Sequence, residues 1–245
     1  SACTGAAVGA SLAGMKPIIV HPRMDFMIYA MDPIVNQAAK WSHMFGGQAH
    51  PGVTIRSIIN RGGEQGAQHS QALHAWFAHV PGLRVVMPST VQDARDLLIS
   101  SVLCKDPVIY IDDRWLYDLE DEIDDISELD LCDQKPNISI EGSDITIVGS
   151  SYASLIARQG AKNLLEDNIS AEVIDVRVLN PLDIEPVINS VSKTGHLLVV
   201  DSGWRSCGFS SEIVSQVSEK LNIGSLKKPP LRLALPDAPA PSSRI

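Results

Sequence analysis

Residues 83–111 read LRVVMPSTVQDARDLLISSVLCKDPVIYI, and this stretch decides the fold. Leu83 to Met87, apolar but for Arg84, has strand length, and Pro88 stops it because proline offers no N–H to a ladder. Ser89 and Thr90 are good N-cap residues, with Gln92 three positions after Ser89 as in a capping box. From Val91 to Leu103 the apolar positions Val91, Ala94, Leu97, Leu98 and Val102 recur at helical spacing. Pro107 then opens a second apolar run, Val108 to Ile111. Strand, helix and strand within about 30 residues form a βαβ unit, which builds a parallel sheet.

The surroundings repeat the alternation. Upstream, a small-residue helix ends between Ser11 and Pro17, and residues 17–20 form a short strand. Apolar residues at Ile28, Met31, Ile34, Val35, Ala38, Ala39 and Trp41 predict one helix over 26–45, stopped by Gly46 and Gly47. Residues 53–59 suggest another strand, and NRGGEQGAQ (60–68) a loop with many glycines and few apolar anchors, expected to be mobile in an isolated chain. Downstream, 112–143 is strongly acidic and reads as a solvated linker. A second series follows, with strands at 145–151, 171–179, 196–203 and 231–236 and helices after 152, after 180 and from 209 to 221. The continuous apolar strands fit sheets buried on both faces. The expected fold is α/β in two domains, each a mostly parallel sheet with helices on both faces. Their bounds are 1–115 and 144–245, with an acidic linker at 116–143.

Composition narrows the function classes. With 245 residues, 44% hydrophobic and 20% charged, the chain has enough apolar content for a substantial core. The net charge of −9 and the absence of a Lys/Arg cluster argue against a nucleic-acid face, and no apolar run has the length of a membrane span. The four cysteines, Cys3, Cys104, Cys132 and Cys207, form no CxxC pair, which argues against zinc and a disulfide framework and fits a reducing, cytoplasmic setting. The opening GAAVGASLAG reads as helix interior and PDAPAPSSRI has no clear ending, so the expectation is a portion of a longer protein.

No GxGxxG, Walker A or GxSxG motif is present. GSSYAS after the 145–151 strand could offer N–H groups to a phosphate, or be a tight strand-to-helix turn. His69, after the glycine-rich loop, is expected to open a helix. There a partial positive charge favours the neutral imidazole, which can give or take one proton. His74 and His79 lie within or at the end of that helix and read as structural. His43 and His50 flank the Gly46-Gly47 turn without an evident partner. HPRMDF (21–26) stands just after a strand end, where parallel sheets bind ligands. Its aromatic, cation and carboxylate could hold a flat ring, or form a loop with a salt bridge and a core phenylalanine.

Together, GAAVGASLAGMKPI, DFMIYAMDPIVNQAAK, FGGQ, QHSQALHAWFAHVPGLRVVMPST, DPVIYI followed by WLY, and AEVIDVRVLNPLD resemble the β subunit of thiamine-diphosphate-dependent 2-oxoacid dehydrogenases, the E1 β subunit, in a bacterial variant. That family joins a transketolase-like pyrimidine-binding domain, here 1–115 with its N-terminal part missing, to a transketolase C-terminal domain, here 144–245. The resemblance implies an α2β2 assembly in which an α subunit holds the diphosphate and magnesium. It implies oxidative decarboxylation of a pyruvate-like 2-oxoacid, with the acyl group passed to a lipoyl-bearing acyltransferase, E2.

By the same resemblance, Phe26 is the aromatic beside the pyrimidine ring, Pro22 falls at an apolar position near the cofactor, and His69 in QHSQ is the catalytic histidine. Arg23 departs from the animal pattern, and no role is assigned to it. The family's cofactor-activating glutamate lies upstream of the motif with which this sequence begins. Between Ser1 and Leu119 the only glutamate is Glu64, and it is a poor substitute. The polypeptide as written is therefore expected to be inactive alone. Some members bind potassium through backbone oxygens, here near Val53, Ser101, Val102, Cys104 and Asp106. The alternatives are a non-catalytic interaction subunit that keeps the fold, and a split transketolase-type C–C transferase. The latter wants basic residues for sugar phosphate, of which only Arg56 and Arg61 stand near the loop. The small-residue helix Gly5-Ala6-Ala7-Val8-Gly9 is a candidate subunit contact as well as internal packing.

Overall fold

The computed structural model describes residues 1–60, 65–126 and 129–242. The chain divides into two compact units. The first comprises Ser1–Gln134 with Leu179–Pro181 and Pro239–Ile245, and the second Lys135–Val178 with Leu182–Ala238.

In the first unit, helix α1 (Ala2–Leu12) leads to strand β1 (Ile18–His21). The expected single helix over 26–45 is instead four short segments. These are α2 (Met24–Met27), a 3-10 turn (Ile28–Ala30), a π-helical segment (Asp32–Ala38) and α3 (Ala39–Met44). Pro33 breaks the regular ladder by withholding an N–H, and the wider π register takes up the mismatch. Then follow β2 (Thr54–Ile59), α4 (His74–Ala78), β3 (Arg84–Val86), α5 (Val91–Leu103) and β4 (Val108–Asp113). The cap of α5 is Thr90 rather than Ser89, because Thr90 Oγ1 accepts a 3.0 Å bond from the Asp93 N–H.

The second unit opens with β5 (Asn137–Ile140), inside the stretch read as linker. Its alternating, half-exposed residues carry no continuous apolar signal, since β5 is an antiparallel edge strand against β7 (Ala171–Asp175). Between them come β6 (Ile145–Gly149) and α6 (Tyr152–Glu166). The predicted strand 171–179 splits into β7 and β8 (Val178–Asn180). After β8 come α7 (Glu185–Thr194), β9 (Leu197–Trp204), α8 (Phe209–Lys220) and β10 (Leu231–Leu235).

The first sheet has the order β1-β2-β4-β3-β8, with β1–β2, β2–β4 and β3–β4 parallel. All six residues of β4 are buried, and Ile55, Ile59, Ile109 and Ile111 are fully sealed. Each such side chain contributes roughly 1.5–3 kcal/mol by leaving water. The second sheet, β10-β9-β6-β7-β5, is parallel except for β5. Its core seats Ala153, Ala157 and Ala161 of α6 against Ile147, Val173 and Val200. Residues four apart share one helix face, so these alanines bring α6 close to the sheet.

The GSSYAS segment is a tight strand-to-helix turn. Ser151 is buried with φ +52°, and it makes no side-chain cap bond to α6. Gly82 shows why another turn needs glycine. Its φ is +95°, and a Cβ there would sit 1.9 Å from the Ala39 carbonyl oxygen.

Candidate active site

The parallel strands of the first sheet deliver their carboxyl ends to one edge, where open α/β sheets bind ligands. His21 closes β1, and residues 22–26 turn away from it. There the Phe26 ring meets the His69 ring edge to face, with centroids 5.1 Å apart and planes at 85°. Phe26 is 41% exposed, while His69 is half-buried.

Consecutive residues of the 22–26 turn grip the segment that carries His69. Asp25 Oδ1 accepts from Gln71 N–H at 3.2 Å and from Gln71 Nε2 at 2.9 Å. The Leu73 N–H points to Met24 Sδ at 3.3 Å. Arg23 Nε donates to Gln65 Oε1 at 2.8 Å, and its Nη1 to the Pro22 carbonyl at 2.7 Å. Arg23 thus takes a structural role in the loop, through neutral oxygens rather than the carboxylate of a salt bridge. Pro22 itself is exposed at the rim. Gln71 did not stand out in the sequence, and Asp25 did so only as a member of the 21–26 cluster, because their contact spans 46 residues.

The expected helix opening at His69 is not there. Residues 67–69 form a turn, and α4 begins only at His74, because Gln71 N–H serves Asp25 instead of a helical carbonyl. His69 therefore gains no charge from a helix end. His74 is buried in α4, and His79 is exposed at its C-cap. His43 and His50 are both exposed, and His50 Nδ1 lies 3.5 Å from Asp106 Oδ1. Glu64 and Arg61 lie outside the described residues, as does part of the 60–68 loop.

Several buried polar atoms of the first unit, the Ser70 hydroxyl beside His69 included, have no partner among the described residues. Asp25 Oδ2 has no hydrogen-bond partner among the described residues. The same holds for both amide atoms of Asn60, the fully buried residue that follows β2. A buried polar atom left so is costly unless a ligand or water meets it.

A cavity of about 430 Å³ lies at the carboxyl end of β4, lined by Arg56, Pro88, Val91, Leu98, Asp112 and Tyr117 among others. Arg56 Nε donates to Asp112 Oδ2 at 2.9 Å, Arg56 Nη2 pairs with the same oxygen, and the Tyr117 hydroxyl donates to it at 3.2 Å. Burial raises the Asp112 carboxyl above its ordinary value despite the Arg56 guanidinium beside it. Burial, reinforced by Asp112, pushes the Tyr117 hydroxyl up to about 12. His21 is lowered by burial. Among the described residues no three His, Cys, Asp or Glu side chains are grouped to hold a metal ion, and no helix is long and apolar enough to cross a membrane.

Known proteins place the chain in a family. Residues 1–118 match the family described as "Transketolase, pyrimidine binding domain" and residues 134–245 the one described as "Transketolase, C-terminal domain". The chain is 40% identical over 245 residues to the acetoin:2,6-dichlorophenolindophenol oxidoreductase subunit beta of Cupriavidus necator, covering 99% of this chain and 71% of that protein. It is 35% identical over 237 residues to the pyruvate dehydrogenase E1 component subunit beta of Rhizobium meliloti, covering 97% of this chain and 51% of that one. A solved structure titled "Split gene transketolase, inactive beta4 tetramer" superposes with a TM-score of 0.75 at 21% identity, over 95% of this chain and 70% of that chain. That likeness speaks for the two-sheet α/β fold alone.

Proposed function

The chain belongs to the transketolase-related family of 2-oxoacid dehydrogenase E1 β subunits, and from that membership we propose that it forms half of a thiamine-diphosphate-dependent active site. Oxidative decarboxylation of a pyruvate-like 2-oxoacid is the reaction. An E1 α subunit supplies the diphosphate and magnesium site in an α2β2 assembly, and the acyl group passes to a lipoyl-bearing E2. The setting is the cytoplasm of a bacterium.

The observation that carries this reading is the Phe26–His69 pair. A flat aminopyrimidine is suited to the exposed Phe26 ring, because aromatic rings stack with favourable dispersion and quadrupole terms. The orphaned Asp25 Oδ2 and Asn60 amide are the kind of buried polar atoms that a heterocycle with ring nitrogens and an amino group can satisfy. Thiamine diphosphate, when bound, supplies the nucleophilic carbon that takes up the substrate's keto carbon so that CO2 can leave. Phe26 orients the ring and keeps water from one of its faces. His69, held against Phe26, is within reach to give or take a proton at an imidazole nitrogen as the acyl group moves. Pro22 contributes apolar surface at the rim.

Mixing the full-length protein with its α partner tests the reading. Thiamine-dependent decarboxylation of a 2-oxoacid and acylation of a lipoyl domain are expected from the mixture and from neither chain alone. A mixture that assembles, binds the cofactor and stays inert on a panel of 2-oxoacids would favour the non-catalytic alternative.

A further inference from the structure

The potassium site implied by resemblance does not fit the side chains around it. A potassium ion replaces its hydration shell with several oxygens, commonly backbone carbonyls. At the C-terminal end of α5 the carbonyls have no helical partner and carry partial negative charge. Lys16 already fills that position. Its Nζ donates to the Cys104 carbonyl at 2.7 Å and to the Leu103 carbonyl at 3.4 Å. The Val53 carbonyl accepts a ladder bond from the Val108 N–H at 3.0 Å. The Asp106 carboxylate is taken by Arg84 Nε at 2.8 Å and faces His50 at 3.5 Å.

Gly52 supplies a second observation. A Cβ added there would lie 2.9 Å from the Cys104 carbonyl oxygen and 3.0 Å from Lys16 Nζ. The bare backbone of Gly52 therefore leaves the space that the ammonium uses.

We propose that the Lys16 ammonium is a tethered cation that serves the end of α5 in place of a bound potassium ion. Both are monovalent, close in size and drawn to the same carbonyl oxygens. The inference rests on the geometry of the chain itself and stands apart from the proposed enzymatic role.

Thermal unfolding of the full chain, with any partner it co-purifies with, tests this in potassium chloride and choline chloride at equal ionic strength. The wild-type midpoint is expected to agree in the two salts within about 1 °C. Lys16→Met is expected to unfold about 2–4 °C lower in choline and to regain much of that loss in potassium. A wild-type midpoint raised selectively by potassium overturns the proposal. So does a Lys16→Met midpoint equal to wild type in choline, or one indifferent to potassium. If Lys16→Met fails to fold, thallium(I) soaked into wild-type crystals decides. No anomalous peak is expected beside the Cys104 carbonyl, and a peak there overturns the idea.

Discussion

Asp25 and Gln71 are joined twice, through the Gln71 backbone N–H at 3.2 Å and its side-chain amide at 2.9 Å, and this pair of hydrogen bonds holds the Phe26 turn to the His69 segment. Asp25 is buried, so Asp25→Ala leaves two donors without their acceptor. The expected loss is about 1–3 kcal/mol of stability. Chemical denaturation reads it directly, and a midpoint equal to wild type would remove the clamp from the account.

His69 and Phe26 are predicted to separate in kinetics. In the assembled enzyme, His69→Ala is expected to slow lipoyl acylation roughly 10²–10⁴-fold. Phe26→Ala is expected to weaken thiamine diphosphate binding roughly three- to tenfold, the worth of one aromatic contact. Steady-state rates against cofactor concentration distinguish the two. Normal acylation by His69→Ala would end its assignment as the proton-handling group.

Gly82→Ala tests the backbone argument. The new Cβ meets the Ala39 carbonyl at 1.9 Å in a conformation with φ +95°. The strained backbone alone costs about 1–3 kcal/mol, and the collision adds to it. A marked fall in thermal midpoint is expected, and a smaller one for Gly14→Ala, which has the same kind of backbone (φ +91°) but no atom within 4 Å of the new Cβ.

Acid sensitivity is expected from His21. Burial lowers its folded-state value below the ordinary 6.5, so the native chain binds fewer protons than the unfolded one as pH falls. The stabilisation is fully present above pH 6.5 and is lost as pH drops through the lowered folded value. His21→Gln is expected to flatten the dependence of thermal midpoint on pH between about 7.5 and 5.5. An unaltered slope in the variant would assign the acid response to other groups.

Much of the architecture was legible because it rests on local signals. The β3–α5–β4 unit announces itself through Pro88, the Thr90 cap and the apolar spacing of α5. The 24–44 region was not, since its helical periodicity hides a change of hydrogen-bond register at Pro33. The β5 strand escaped because an antiparallel edge needs no buried run. In the candidate site, His69 and Phe26 were singled out by resemblance, while the helix-end argument for His69 failed on the Gln71–Asp25 bond. Lys16 was invisible as a partner for Cys104, because 88 residues separate an exposed lysine from the carbonyl it serves.

Strand β8 has a practical consequence for anyone dissecting the molecule. Residues 179–181 belong to the first unit although the second unit's sequence surrounds them, and 239–242 rejoin it after the second unit ends. A fragment stopped at Gln134 therefore loses the outermost member of the order β1-β2-β4-β3-β8 and leaves β3 as a raw border. Such a fragment is primed to pair with itself or another chain. Genetic truncation at the apparent boundary thus yields a damaged half, whereas a nick by protease at the same place leaves the returning strand in hand.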